Sequence, residues 1–189
     1  MTYIYFVRHA EPNFDNHDDP TRELSAKGMR DRQLVADYMK GKQLDAVLSS
    51  PFKRAVDTVV PLAQERGLTI WLMEAFRERK VSDGWIEDFA AFSQNQWKNF
   101  AYKLPGGESL SEVQMRNIHG LEQVLDAYSG KSVVIGSHGT ALSCIVNHYD
   151  PSFGYADFCR IQALMPWIVK FSFHGRSCVA IEQINLFES

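Results

Sequence analysis

From Thr2 to Val7 the chain reads TYIYFV, an apolar and aromatic run almost without polar relief. Such a run, lacking alternation, predicts a strand buried on both faces. The stretch that follows, AEPNFDNHDDPTREL, is rich in Asp, Asn and Pro and predicts a loop. Ser25 can cap a helix running to about Met39, with Leu34, Val35 and Tyr38 near one face and Gly41 closing it. LDAVLSS at 44–50 predicts a second strand, and Pro51 suits the first turn of a helix over 52–66. Val56, Val59, Val60 and Ala63 mark that helix's buried face, Pro61 should kink it, and Gly67 ends it. LTIWLM at 68–73 reads as a third strand. The section 74–107 is polar, aromatic and irregular, with a helix expected around 86–101. Ser109 opens a long helix to about Tyr128, KSVVIGS at 131–137 predicts a fourth strand, and 140–149 a short helix. PWIVKFSF and SCVAIEQIN, joined by HGRS, predict two final antiparallel strands.

Strand and helix alternate through most of this pattern, which predicts an α/β fold. The expected architecture is a three-layer α/β/α sandwich on a mostly parallel, mixed six-stranded sheet, with one strand antiparallel near the C-terminus. At 189 residues, with no composition break, the expectation is a single domain over 1–189. The net charge of −3 argues against a nucleic-acid binder that relies on global positive charge, leaving room only for a local cationic pocket. Cys144, Cys159 and Cys178 have no CxxC spacing and read as small buried apolar residues. No apolar run approaches the ~20 residues that span a bilayer, and the N-terminus enters a strand directly. The expected setting is therefore cytoplasmic, without membrane association; self-association is left open.

In an open α/β sheet, ligands bind beyond the carboxyl ends of the strands. Arg8 and His9 stand after the first predicted strand, Ser49, Ser50 and Arg54 after the second, and Ser137, His138 and Gly139 after the fourth. Arg54 lies in the first turn of a helix, where the macrodipole disfavours a cation by a few tenths to ~1 kcal/mol. Taken alone it reads as a solvated arginine beside Lys53. Together with Arg8, His9 and His138 at equivalent strand ends it points to a bound anion. A histidine can act as a nucleophile and split one hard displacement into two easier ones. Phosphoryl transfer needs mainly positioning and positive donors. His17, His119, His148 and His174 read as surface or structural residues.

These segments resemble the histidine phosphatase superfamily, the phosphoglycerate mutase-like family. VRHAEPNF resembles its Arg-His-Gly signature, LSSPFKRAVDT the segment of its second arginine, and VVIGSHGTAL that of its second histidine. AFRE resembles the segment bearing its acid, with PGGES a further common feature, and the matches keep family order from residue 2 to about 146. The resemblance implies His9 as nucleophile through a phosphohistidine, with Arg8, Arg54, His138 and the Gly139 backbone N–H binding the phosphoryl oxygens. It implies Glu78 as the group that protonates the leaving oxygen and then activates water. Glu74, Glu87 and Glu108 are rivals for that role, and a solvated Glu78 within RERK is the plain alternative. No metal and no organic cofactor are implied; the acidic run Asp15, His17, Asp18 and Asp19 has the spacing of a loop rather than of a coordination site.

Two departures stand out. Ala10 replaces the usual glycine, which a negative φ would tolerate, and Asp15 falls where many members carry a phosphate-contacting asparagine, a contact Asn13 or Asn16 could supply. Residues 79–104 are expected as a cap insertion over the active site. Its aromatics Trp85, Phe89, Phe92, Trp97, Phe100 and Tyr102 form either a satellite core or part of the cavity wall. The leading expectation is a metal-independent phosphomonoesterase acting on a small phosphorylated metabolite. A mutase, a protein phosphohistidine phosphatase and a non-catalytic phospho-ligand binding module are the alternatives.

Overall fold

The unbroken apolar character of β1 (Thr2–Arg8) follows from its central place in the sheet, with β4 (Ser132–Ser137) on one side and β5 (Trp167–His174) on the other. The computed structural model describes residues 1–84 and 86–188. With β2 (Ala46–Ser49), β3 (Ile70–Leu72) and β6 (Ser177–Ile184), the strand order is β3-β2-β4-β1-β5-β6. β3, β2, β4 and β1 pair in parallel, while β5 is antiparallel to both β1 and β6. One strand, β5, therefore runs against the rest, as the sequence predicts.

Successive side chains of β1 serve two cores. Ile4 and Phe6 join Leu48, Val133 and Ile135 under α5 (Leu110–Ala127), α6 (Gly139–Tyr149) and α7 (Tyr155–Ile161). Tyr5 and Val7 join Val47, Val134 and Ile168 under α2 (Gln33–Met39) and α3 (Lys53–Arg66) on the other face. Two apolar layers on opposite faces make the three-layer sandwich. Phe6 is fully buried and meets Phe76 and Phe171 edge-on at 5.4 and 5.9 Å. Truncating it to alanine removes that contact and opens a cavity, at about 3–5 kcal/mol.

Three local expectations change. The single helix expected after Ser25 is two, α1 (Ala26–Asp31) and α2, because the Val35 N–H bonds the Arg32 carbonyl only three residues back and tightens the turn. α3 runs through Pro61 as one element. The carbonyl of Asp57, which a proline at 61 leaves without its helical donor, accepts instead from the Arg32 guanidinium at 3.1 Å. Its buried face is also rotated from the predicted one. Arg54, Ala55, Thr58, Val59, Leu62 and Ala63 are buried, while Val56 and Val60 are half-buried. Finally, α7 was not expected at all. Its first turn is closed by the Asp157 carboxylate, which accepts the Gly154 N–H at 3.0 Å, and it buries Phe158 and Ile161.

Among the described residues the section 79–104 holds one helix, α4 (Phe89–Lys98), shorter than expected at both ends and capped by Asp88. Trp97 packs against Phe100, Phe153 and Phe158 and takes a core role, one of the two expected for these aromatics. Phe92 is buried and Phe89 half out; Trp85 lies outside the described residues. Of the cysteines only Cys144 is buried; Cys159 is exposed. Among the described residues, no helix is long and apolar enough to cross a membrane.

Candidate active site

β1 and β4 are neighbours, yet the helices that follow them cover opposite faces: α2 packs on the side of Tyr5 and Val7, α6 on the side of Ile4 and Phe6. The chain must therefore part beyond the carboxyl ends of these two strands, and a crevice opens there. Backbone bonds lock its floor. The His9 N–H donates to the Ser137 carbonyl at 3.1 Å, and the Ser50 N–H to the Gly136 carbonyl at 2.8 Å. Arg8, His9, Ser50 and His138 are thus fixed along one sheet edge by the ends of β1, β2 and β4.

His9 and His138 are the two buried histidines; the other four are exposed. Their rings lie 5.3 Å apart, centroid to centroid, in an edge-to-face arrangement. His9 Nδ1 lies 2.7 Å from its neighbour's carbonyl, that of Ala10, which can only accept; Nδ1 therefore carries the proton. Nε2 is left with a lone pair, and the Arg54 Nε–H donates to it at 3.2 Å. Burial, followed by the charges of Arg54 and Arg8, pushes the His9 pKa well below its ordinary value, so the ring is neutral at neutral pH. The Ala10 N–H donates to Thr58 Oγ1 at 2.9 Å, and Thr58 in turn donates to the Arg54 carbonyl at 2.7 Å. Thr58 thereby ties the loop after His9 to the helix carrying Arg54. Ala10 sits there without a positive φ.

His138 caps α6 and places Nε2 at 2.7 Å from Ser50 Oγ. Its Nδ1 is buried without a partner, as is Arg8 Nε. Burial and the charges of Arg54 and His9 hold the His138 pKa well below normal too. The Nη1 of Arg8 is already committed, donating to the carbonyls of Ile161, Gln162 and Leu164 at 2.6, 3.1 and 3.2 Å. The unexpected helix α7 thus aims the guanidinium and leaves its Nε edge toward α6. At Gly139 an added Cβ would stand 3.0 Å from that Nε, so the glycine permits the close approach. Orphaned buried donors and acceptors on a rigid edge are costly unless a ligand completes them. Arg8 Nε and His138 Nδ1 are two such atoms here, and the His138 ring stands against that of His9.

Glu78 reaches the same end of α6. Its Oε1 accepts from the Arg79 and Ala141 N–H groups at 2.8 and 3.0 Å, and its Oε2 from Thr140 at 3.0 Å. The rivals stand elsewhere: Glu74 and Glu87 are exposed. Glu108 is a structural hub, accepting from Arg77 at 2.6 and 2.9 Å, from Arg116 at 2.9 and 3.2 Å and from the Lys80 N–H at 2.9 Å. Arg116 also donates to the carbonyls of Ala75, Arg77 and Glu78. Gly120 lets α5 come close enough for this reach, since a Cβ there would lie 2.5 Å from that of Ala75. Burial raises the Glu108 pKa, but the hydrogen bonds from Arg77 and Arg116 outweigh it and hold the carboxyl at about 2.

The acidic loop supplies the main surprise. Asp19 places its carboxylate 2.9 Å from Arg54 Nη2 and its carbonyl 2.6 Å from Nη1, so an anion already sits on Arg54. The Asn13 and Asn16 amides each donate to Glu23, at 2.7 and 2.8 Å. Sequence reasoning missed Thr58 and Asp19, and it listed Ser50 without a role. A threonine one turn after Arg54 was the available signal for Thr58; nothing local singled out Asp19 from its acidic neighbours.

The model of the histidine phosphatase superfamily (branch 1) matches residues 4–182. This chain belongs to that superfamily. Among relatives of this histidine phosphatase, an uncharacterized phosphatase, PhoE, of Bacillus subtilis (strain 168) is 29% identical over 153 residues, covering 77% of this chain and 76% of its own. A probable phosphoglycerate mutase, GpmB, of Yersinia pestis (strain Pestoides F) is 27% identical over 164 residues, covering 78% and 74%. The solved structure of Bacillus stearothermophilus YhfR superposes over the whole of both chains with a TM-score of 0.84 at 21% identity, a likeness of fold. Members of the superfamily are phosphatases or mutases, and a phosphoryl-transfer chemistry is common to both.

Proposed function

We propose that this histidine phosphatase is a metal-independent phosphomonoesterase that hydrolyses a small phosphorylated metabolite through a phosphohistidine on His9. The single observation that carries the reading is the state of His9: neutral, protonated on Nδ1 by its bond to Ala10, with the Nε2 lone pair beside the Arg54 guanidinium. A nucleophile must offer a lone pair, and the transferred phosphoryl must be met by positive charge at the same place.

In the first step the Nε2 lone pair attacks phosphorus as the ester P–O bond breaks. The leaving oxygen takes the proton from a protonated Glu78, whose Oε2 has one N–H donor and keeps room for that proton. In the second step the Glu78 carboxylate takes a proton from water, the hydroxide attacks phosphorus, and the N–P bond breaks to return neutral His9. Arg8, Arg54, His138 and the Gly139 N–H meet the phosphoryl oxygens throughout, a charge-stabilising role. The section 79–104, carrying α4, serves as the cap that meets the leaving group. For Arg54 to take a phosphate oxygen, the Asp19 carboxylate must move off it.

Rapid acid quench with a labelled ester tests the assignment. An acid-labile, alkali-stable phosphoenzyme mapping to His9, lost in His9→Ala and formed equally in the presence of a chelator, is expected. A label on any other residue would refute the nucleophile. Turnover that a chelator abolishes and zinc or magnesium restores would refute the metal-independent mechanism.

A further inference from the structure

Ser50 directly follows β2 and is fully buried. Its N–H donates to the Gly136 carbonyl at 2.8 Å, and its own carbonyl accepts from Ser49 Oγ at 2.8 Å. Pro51 holds the backbone of the residue before it extended. With the main chain held on both sides, the side chain meets two partners. The Phe52 N–H donates to Ser50 Oγ at 3.2 Å, and His138 Nε2 lies 2.7 Å from the same oxygen. Among the described residues, no other acceptor lies within hydrogen-bond distance of that hydroxyl.

A serine hydroxyl carries one proton, and Phe52 can only donate to it. If His138 bears its proton on Nδ1, Ser50 donates to the Nε2 lone pair, and one buried group, Nδ1–H, is left without a partner. If the proton sits on Nε2, that N–H donates to Ser50, and two buried groups are left: the Ser50 O–H and the Nδ1 lone pair. Unpaired buried polar groups are costly, and the first arrangement leaves fewer. The rings of His9 and Phe52 flank His138 edge-on, each at 5.3 Å.

The consequence lies at the other nitrogen. Burial, with the charges of Arg54 and His9, keeps His138 from taking a second proton at neutral pH. The ring therefore has one N–H to offer, and the bond to Ser50 decides which nitrogen offers it. We propose that Ser50 is a positioning residue that fixes His138 as the Nδ1–H tautomer, making this histidine a hydrogen-bond donor to a phosphoryl oxygen of the bound ester. The inference rests on the phosphomonoesterase reading above and deepens it at His138. In the other tautomer Nδ1 would present a lone pair, which repels a phosphoryl oxygen. Arg8 Nε, 3.0 Å from where a Cβ on the next residue, Gly139, would stand, is a further buried donor without an acceptor. A phosphoryl oxygen is the acceptor that such donors lack.

Long-range 1H–15N correlation spectra of the resting enzyme at pH 7 read the tautomer, with the His138 signals assigned by their loss in His138→Gln. A protonated Nδ1 and an unprotonated Nε2 are expected; the reverse overturns the proposal without recourse to a Ser50 variant. Inorganic phosphate is expected to shift the Nδ1 signal more than that of Nε2, and no shift at saturation overturns the donor role. In Ser50→Ala the two tautomers are expected to mix and kcat/KM to fall by about 10- to 100-fold, whereas Ser50→Thr keeps the hydroxyl and the wild-type tautomer. In the His138→Gln background Ser50→Ala is expected to cost less than about 3-fold, because the histidine it acts through is gone. An unchanged tautomer in Ser50→Ala, or an equal loss with and without His138, overturns the role of Ser50 and leaves the phosphatase reading standing. No hydrolysis of any ester by the wild type overturns that reading, while the spectra still decide the tautomer and its dependence on Ser50.

Discussion

Glu108→Gln probes how Glu78, the proposed acid, is held, and its cost can be worked from the geometry. The carboxylate accepts two bonds from Arg77, two from Arg116 and one from the Lys80 N–H. A carboxyl held at about 2 against an ordinary 4.5 corresponds to about 3 kcal/mol favouring the folded state at neutral pH. Arg77 and Glu108 are 30% and 16% exposed, so solvent screening reduces this to about 2 kcal/mol. In a chain of this size that is a fall in Tm of about 4–8 °C. The sign in pH is fixed by the direction of the shift. The folded value is depressed, so the stabilisation is present in full above pH 4.5 and is lost as the pH falls toward 2. The gap between wild type and Glu108→Gln should therefore be widest at pH 7 and fall below half of that by pH 3. Denaturant unfolding at the two pH values measures it.

The same substitution carries a kinetic signature. Arg116, which the Glu108 carboxylate orients, holds the carbonyls of Ala75, Arg77 and Glu78. Loosening it displaces Glu78, and a displaced acid matters most where the leaving oxygen needs its proton. Turnover of alkyl phosphates should therefore fall by about 10-fold or more, and that of p-nitrophenyl phosphate much less. A stability gap independent of pH, or equal losses for both ester classes, would refute this account of Glu108 as the holder of the acid.

Asp19→Asn removes the carboxylate that lies 2.9 Å from Arg54. If substrate phosphate and Asp19 compete for that guanidinium, KM and the inhibition constant for inorganic phosphate both fall, by about 3- to 10-fold, with kcat changed less; a raised KM, read in steady-state kinetics, would mean that Asp19 helps to hold the arginine in place. The buried His9 and His138, both with pKa values pushed well below 6.5, stay neutral in the fold while an unfolded chain takes up protons. Their contribution to stability is present above pH 6.5 and is lost as the pH falls below it, whereas kcat/KM should show no acid limb at the ordinary histidine pKa; an activity loss centred near 6.5 would contradict a neutral, buried nucleophile.

What the chain's pattern disclosed, and what it hid, divide along the range of the interactions. β1 was readable because a strand buried on both faces must be apolar throughout, and Arg8 and His9 because they break that pattern at its end. Arg54 and His138 followed from the rule that parallel strands deliver their loops to one edge. The same rule could not reach α7, whose short sequence has weak periodicity and whose role is to meet Arg8 across 153 positions with the Ile161 carbonyl. Asp19 was equally hidden, because four polar residues in a loop look alike until one of them meets an arginine from another segment. The contrast between Glu78 and Glu108 sharpens the point. Both are glutamates in charged surroundings, and only the resemblance of AFRE to the family's acid segment ranks Glu78 first. In the fold one carboxylate is met by arginine side chains and the other by backbone N–H groups at a helix start. Guanidinium partners make Glu108 a fixed anion, as its pKa of about 2 records, whereas Glu78 is met by backbone N–H groups, two on one oxygen and one on the other, an arrangement that only the folded chain brings together.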